Sequence, residues 1–388
     1  MPRPLLFALF FLAVFLQSGA YGLTFMLPRL FDSFGASEKV VGQMLFATAL
    51  TTLITVYFSG HLSDLMGRMR TLTLACIAIA AALGLYAITA SVGLMLVLAS
   101  VLLGFGWGLT YSLGPIVLTR LVGPDERVRY FTLLSVFVMA GFGLAPVIAA
   151  TLETQGAGLR AAFGLTSGLC CLSAVLFFVL RSPAQAHALT PGAEASARIT
   201  WVSLKRVLRS PARTPVIMVF LGASVFAGLN NFQTVFADAR GLDYATFFAT
   251  YTTTVVIFRL VLATFKGGPN PYLTIALLQY LMCASIVLFL FSGTSPTLYI
   301  LTAILFGLGY GVSYPILVAM CAADATDDLG PQTLQLFALT YFIGVFGFPL
   351  IAGYMMVEVG TKALLTLIAL IAAVEASMAL RRATHHHA

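Results

Sequence analysis

A handful of polar and aromatic side chains stand inside long apolar runs. They are Gln17 and Tyr21, Trp107 and Tyr111, Asn230, Asn231 and Gln233, Tyr251 and Arg259, and Tyr310 and Tyr314. Hydrocarbon leaves a polar group without a partner, so such residues are expected to face a neighbouring helix or a wet cavity. Aromatic faces stack and neutral amides exchange hydrogen bonds, which suits an uncharged or amphipathic organic molecule. Arg259 can hold an anion, or its long stem can carry the charge to the interface. Bond-breaking chemistry has no such support: the chain has no H-E-x-x-H, no G-x-S-x-G and no Cys/His cluster. The reading is of a protein that binds a small molecule, and not of an enzyme.

The elements that position these residues follow from composition. The 388 residues are 60% hydrophobic and only 9% charged, with a mean hydropathy of +0.99. A soluble domain carries about 25% charge, so lipid must be the main solvent. The net charge of +7 sits in short loops and is no nucleic-acid signal. Cys76, Cys170, Cys171, Cys283 and Cys321 lie in or beside apolar runs and read as core residues, with no disulfide framework or metal site. The opening MPRPLLFALFFLAVFLQSG has the look of a secretory signal. Its apolar run continues to Met26 and many spans follow, so it reads as a retained first helix. The closing ATHHHA reads as a tag remnant or as a natural tail.

Apolar runs of about 20 residues each cross a bilayer core. They predict spans at 5–27, 40–60, 71–90, 94–119, 131–152 and 160–180, then at 215–237, 245–265, 272–292, 296–320, 333–355 and 361–380. The fold class is an all-α membrane protein of 12 transmembrane helices in two pseudo-symmetric six-helix bundles. The expected domains are 1–180, an N-terminal bundle; 181–213, a cytoplasmic loop; 214–382, a C-terminal bundle; and 383–388, a tail. Within the loop, WVSLKRVLR suits a short amphipathic surface helix. Of the 21 Lys and Arg, fifteen fall in one alternating set of loops and five in the other, with Arg259 inside a span. That bias places both termini in the cytoplasm; the expected location is a cell inner (plasma) membrane.

The halves repeat. Gly104, Gly106, Trp107, Gly108, Thr110 and Tyr111 align with Gly307, Gly309, Tyr310, Gly311, Ser313 and Tyr314, at an offset of 203 (307 less 104). Pro146 and Pro349, expected to serve helix packing, keep the same offset. Parallel repeats of this kind build transporters that bind substrate near the midplane.

Between the second and third spans stands GHLSDLMGRMR, from Gly60 to Arg70. Gly60 allows close helix approach, Gly67 a tight turn, and Asp64 is an anion beside Arg68 and Arg70. The run resembles the G-x-x-x-D-x-x-G-R-[RK] signature of the major facilitator superfamily, bacterial 12-helix efflux-type members among them, and the resemblance covers the chain. It implies alternating access, with Gly60, Asp64, Gly67, Arg68 and Arg70 as a gate. The counterpart near Ala263, Lys266 and Gly267 is eroded. The arginine that many members carry before the first glycine of the fourth helix is Ser100 here. The fifth-helix run from Ala145 to Ala150 is a softened version of an antiporter signature. The resemblance also implies a cavity lined by the first, fourth, seventh and tenth spans, with the two aromatic pairs opposed across a pseudo-twofold axis.

A proton-driven exchanger needs a group whose protonation follows its exposure. The first half has no mid-membrane acid. Asp238, and after it Asp32, are the coupling candidates, while Glu375 is expected at the inner interface of a peripheral twelfth span. Facilitated diffusion, or coupling through the substrate's own charge, stays open. The expectation is a monomeric secondary active transporter, with a small-molecule substrate, the lipid bilayer and protons as partners and no cofactor. It would export a small organic compound by proton antiport. The alternatives are import of an organic anion by symport, with Arg259 as the contact, and a non-transporting receptor or scaffold.

Overall fold

A computed structural model describes residues 1–188, 200–263, 265, 268–326 and 329–385. The loop portion 189–199, Lys266 and Gly267 of the eroded motif, and the last three residues of the expected tail lie outside the described residues. Among the described residues, twelve helices are long and apolar enough to cross a membrane. The chain divides into two compact units, Met1–Glu194 and Ala195–Ala388.

The first unit runs α1 (Arg3–Thr24), α2 (Leu27–Asp32), α3 (Glu38–Met66), α4 (Arg68–Ile88), α5 (Leu94–Leu121), a 3-10 turn, α6 (Arg127–Thr154) and α7 (Leu159–Ala186). The second runs α8 (Trp201–Arg209), α9 (Arg213–Asn230), α10 (Gln233–Asp238), α11 (Tyr244–Val261), α12 (Pro271–Phe291), α13 (Pro296–Ala323), α14 (Gly330–Phe342), a π turn, α15 (Phe348–Glu358) and α16 (Thr361–His385). No strand occurs among the described residues.

Local chemistry sets several starts. Asn270 accepts from the Leu273 N–H at 3.1 Å before Pro271, and Ser295 caps α13 before Pro296. Asp243 accepts from the backbone of Ala245 and Thr246. Thr200 and Ser203 close a capping box on α8, the surface helix expected from its sequence. Hydroxyls inside spans bond across helices as well as along them. Thr48 donates to the Ser100 carbonyl at 3.1 Å, and Ser173 to that of Ala13 at 2.8 Å.

Each unit packs its helices in the same order. In the first, α4 lies against α5 and α7, α3 against α5, and α1 against α6 and α7. In the second, α12 lies against α13 and α16, α11 against α13, and α9 against α14, the π turn and α16. The glycines mark the shared register. A Cβ on Gly106 would meet the Ala75 carbonyl at 2.5 Å, and one on Gly309 would meet that of Leu278 at 2.7 Å. Ala75 and Leu278 are themselves 203 apart (278 less 75).

Four details differ from expectation. The first and seventh spans break into short second helices, α2 and α10. The sixth span runs on to Ala186, beyond 180, and the twelfth into the expected tail. The two repeat prolines are unlike: Pro146 lies within continuous α6, while Pro349 opens α15 after the π turn Ile343–Gly347. The offset between α2 and α10 is 206 (238 less 32), so Asp32 and Asp238 are equivalent ends of equivalent helices.

Candidate functional site

Within the first unit, α1 brings Gln17 and Tyr21 to α5. The Tyr21 ring stacks on Trp107 at 5.2 Å and 18° and packs on Phe142. Gln17 is buried, and its Oε1 has no donor among the described residues. Tyr111 lies one turn beyond Trp107 and is half-buried.

The second unit repeats the stack with other residues. Phe226 of α9 lies on Tyr310 at 4.7 Å and 15°. Tyr310 and Trp107 are 203 apart (310 less 107), but Phe226 and Tyr21 are 205 apart (226 less 21), so α9 has slipped by two residues. That slip hid Phe226 from the sequence reading. Tyr310 also neighbours Tyr314, with centroids 6.3 Å apart, and Tyr314 meets Tyr341 at 5.4 Å.

At the end of α9, Asn230 and Asn231 are buried and donate back to the carbonyls of Phe226 and Ala227. These bonds satisfy the last turn where the chain breaks before α10. Gln233 donates to the Tyr299 hydroxyl at 2.7 Å. Among the described residues, Asn230 Oδ1 and Gln233 Oε1 are buried acceptors without a donor, and the Tyr251 hydroxyl is buried without a hydrogen-bond partner. Tyr251 packs between Phe247 and Phe306.

Arg259 lies in the last turn of α11, and not two turns inside as expected. It is half-buried, and its Nε donates to the Gly311 carbonyl at 3.1 Å. Tyr251, Tyr310, Tyr314 and Tyr341 lie within electrostatic range of the guanidinium. The side chain therefore reaches along α13 into an aromatic cluster.

In the motif from Gly60 to Arg70, Gly67 alone separates α3 from α4. Its φ of +84° is a conformation that a side chain would strain. Its N–H bonds the Ser63 carbonyl at 2.9 Å, and its own carbonyl accepts from Thr71 at 3.0 Å. Gly60 is half-buried on α3, and Asp64 is exposed with no ion pair among the described residues. Arg68 and Arg70 line a cavity of about 510 Å³ together with Arg120 and Arg181, and no acid shares it among the described residues. Arg68 Nη1 is buried there without an acceptor. The expected Asp64–arginine contact is not formed. Arginines in the first turn of α4 and an aspartate in the last turn of α3 both oppose the helix dipoles, by about 0.3–1 kcal/mol each. Helix stability therefore does not explain these charges.

Asp32 and Asp238 are both exposed, which withholds the burial that a coupling acid needs. Glu375 does not reach an interface; it is 2% exposed, against α9 and α12. Ser100, in place of the family arginine, is buried and bonded to the Tyr86 hydroxyl at 2.8 Å. At the end of α13, Asp324 accepts from Tyr272 at 2.6 Å and from Arg382 at 3.3 Å. Arg3 pairs with Glu126, and the bond holds the Glu126 carboxyl below the usual carboxylate range.

Twelve apolar spans among the described residues, in two like-packed units, define a multi-pass membrane protein. The chain belongs to the major facilitator superfamily, whose model matches residues 9–347. It is similar in fold to a peptide transporter, POT, solved in complex with sulfate. That match has 19% identity and a TM-score of 0.77, covering 98% of this chain and 94% of the other. A nucleoside transporter, NupG, aligns at 14% identity and a TM-score of 0.75, over 97% and 99% of the two chains. Among curated protein sequences none matches.

Proposed function

We propose that the protein is a monomeric secondary active transporter of a small, uncharged or amphipathic organic compound. It works by alternating access in a plasma (inner) membrane, with both termini cytoplasmic, and exports its substrate in exchange for protons. The twin ring stacks, Tyr21 on Trp107 and Phe226 on Tyr310, carry this reading. Beside them lie acceptors with no donor: Gln17 Oε1, Asn230 Oδ1 and Gln233 Oε1. Flat apolar faces next to unmet acceptors suit a ligand with a stacking surface and a few N–H or O–H groups. Tyr111, Tyr251, Tyr314 and Asn231 extend the lining. The glycine and charge cluster from Gly60 to Arg70 gates the inner side.

The test begins with a thermal-shift screen of metabolites and drugs on purified protein at two pH values. Hits are then assayed for counterflow of the labelled compound in proteoliposomes. Counterflow that fails in Trp107→Ala and Tyr310→Ala supports the site. Binding without counterflow makes the protein a receptor. A second reading is import of an organic anion by symport; Arg259 within its four tyrosines favours it. Hits confined to carboxylates, lost in Arg259→Ala, would select that reading.

A further inference from the structure

The second unit buries an acid that the lining residues above do not use. Glu375 of α16 is 2% exposed and Gln279 of α12 1%. Gln279 Nε2 donates to Glu375 Oε1 at 2.5 Å. The other oxygen of each partner, Glu375 Oε2 and Gln279 Oε1, is buried with no donor. The third wall is backbone: a Cβ on Gly222 of α9 would lie 2.8 Å from Oε1 and 3.0 Å from Oε2. Gln279 is eight residues into α12, about 12 Å from its start, which is membrane depth.

A buried carboxylate needs a cation or several donors. The packed helices supply neither. From α12 come Tyr272, which donates to Asp324, Tyr280, bonded to Ser377, and Cys283, which donates to the Ala369 carbonyl. From α9 comes Arg213, nine residues and about 13 Å below Gly222. From α15 come Tyr354 and Glu358, and from α16 itself Lys362, Arg381 and Arg382, the last paired with Asp324. Among the described residues none of these places a charge or a donor on Glu375.

We propose that Glu375, Gln279 and Gly222 form a buried proton-binding site, and that its occupancy sets how closely α9 packs on α16. One proton from water turns the carboxylate into a neutral acid and breaks no other bond. The new O–H is the missing donor for Gln279 Oε1, so a single hydrogen satisfies both orphaned oxygens as a closed acid–amide pair. Loss of the proton leaves a bare charge against the backbone at Gly222. Relief requires water entry or withdrawal of α9. That helix ends at Asn230, about 12 Å further on, so its position reaches the proposed substrate residues. This last link rests on the transport reading; the proton site does not.

The test is infrared difference spectroscopy of the full-length protein in lipid nanodiscs, titrated from acid to alkaline pH. Wild type is expected to show a protonated-carboxyl C=O band at neutral pH that Glu375→Gln lacks and that alkali removes. Identical spectra of the two at neutral pH would overturn the proposal. Thermal melting supplies a second readout. The folded state holds one more proton than the unfolded state, so wild-type stability is expected to fall as pH rises, by up to tenfold in the folding constant per pH unit. Glu375→Gln is expected to lose that slope, and parallel slopes would contradict the site. Should Glu375→Gln not fold, Gly222→Ala replaces it. By pushing α9 off the carboxyl and admitting water, it should bring loss of the band to lower pH, and an unchanged pH would refute the packing role. Neither readout needs a substrate. A present band with no counterflow of any hit refutes the transport reading alone, and counterflow without the band refutes the proton site alone.

Discussion

Gly106→Ala tests whether the glycines of the repeated motif are the contact surfaces of these bundles. Its Cβ would lie 2.5 Å from the Ala75 carbonyl oxygen and 2.5 Å from Ile79 Cγ1, where ordinary contact begins at 3.4 Å. One obstacle is backbone, so no rotamer change removes it, and α4 and α5 must part by about 0.9 Å. Overpacking of that kind costs about 1–3 kcal/mol. In a unit of this size each kcal/mol moves the melting temperature by about 2–4 °C, so a drop of roughly 2–12 °C is expected. Gly309→Ala, 2.7 Å from the Leu278 carbonyl and the Met282 nitrogen, should fall by a similar amount. Gly114→Ala is the control: it is on the same helix, but its Cβ meets nothing within 4 Å. Removing a helix-interior glycine there should stabilise by about 0.5–1 kcal/mol. The assay is thermal unfolding in detergent by intrinsic fluorescence. If Gly106→Ala and Gly114→Ala melt alike, the close-approach reasoning is wrong.

Asp64→Asn should cut counterflow by more than tenfold with an unchanged melting temperature, because Asp64 is exposed and unpaired; full activity would remove it from the gate. Gly67→Ala, strained at φ +84°, should destabilise by about 1 kcal/mol or more, read as a lowered melting temperature. Glu126→Gln removes the partner of Arg3. The Glu126 carboxyl is held below its ordinary range, so the stability from this pair is present at neutral pH and lost as pH falls through the depressed value. Wild type should therefore melt above Glu126→Gln at pH 7 and converge with it in acid; a gap that persists in acid contradicts the pairing.

Hydropathy marked all twelve spans because it reports partition into lipid, which length and composition decide. It says little about which face of a span points where. These helices are apolar on every side, so the burial of Glu375 is not legible in what reads as a peripheral span. Arg259 was placed too deep because α11 stops at Val261, sooner than its apolar run suggested. The 203-residue offset exposed Trp107 and Tyr310, whereas the two-residue slip of α9 concealed Phe226 as the partner of Tyr310. Pro28 in the first turn of α2 marks the first break, whereas no proline marks the one before α10. The back-bonded Asn230 and Asn231 are the only trace of the second.

Solvent access to one proposed lining residue from both membrane faces tests the central claim most directly. All five native cysteines are free and can be replaced. In that background Trp107→Cys is treated with a membrane-impermeant thiol reagent in right-side-out and inside-out vesicles. Alternating access predicts modification from either face, slowed by a compound that counterflows. A thiol reached from neither face, or only by a lipid-soluble reagent, would place this residue in the packed wall and contradict the account.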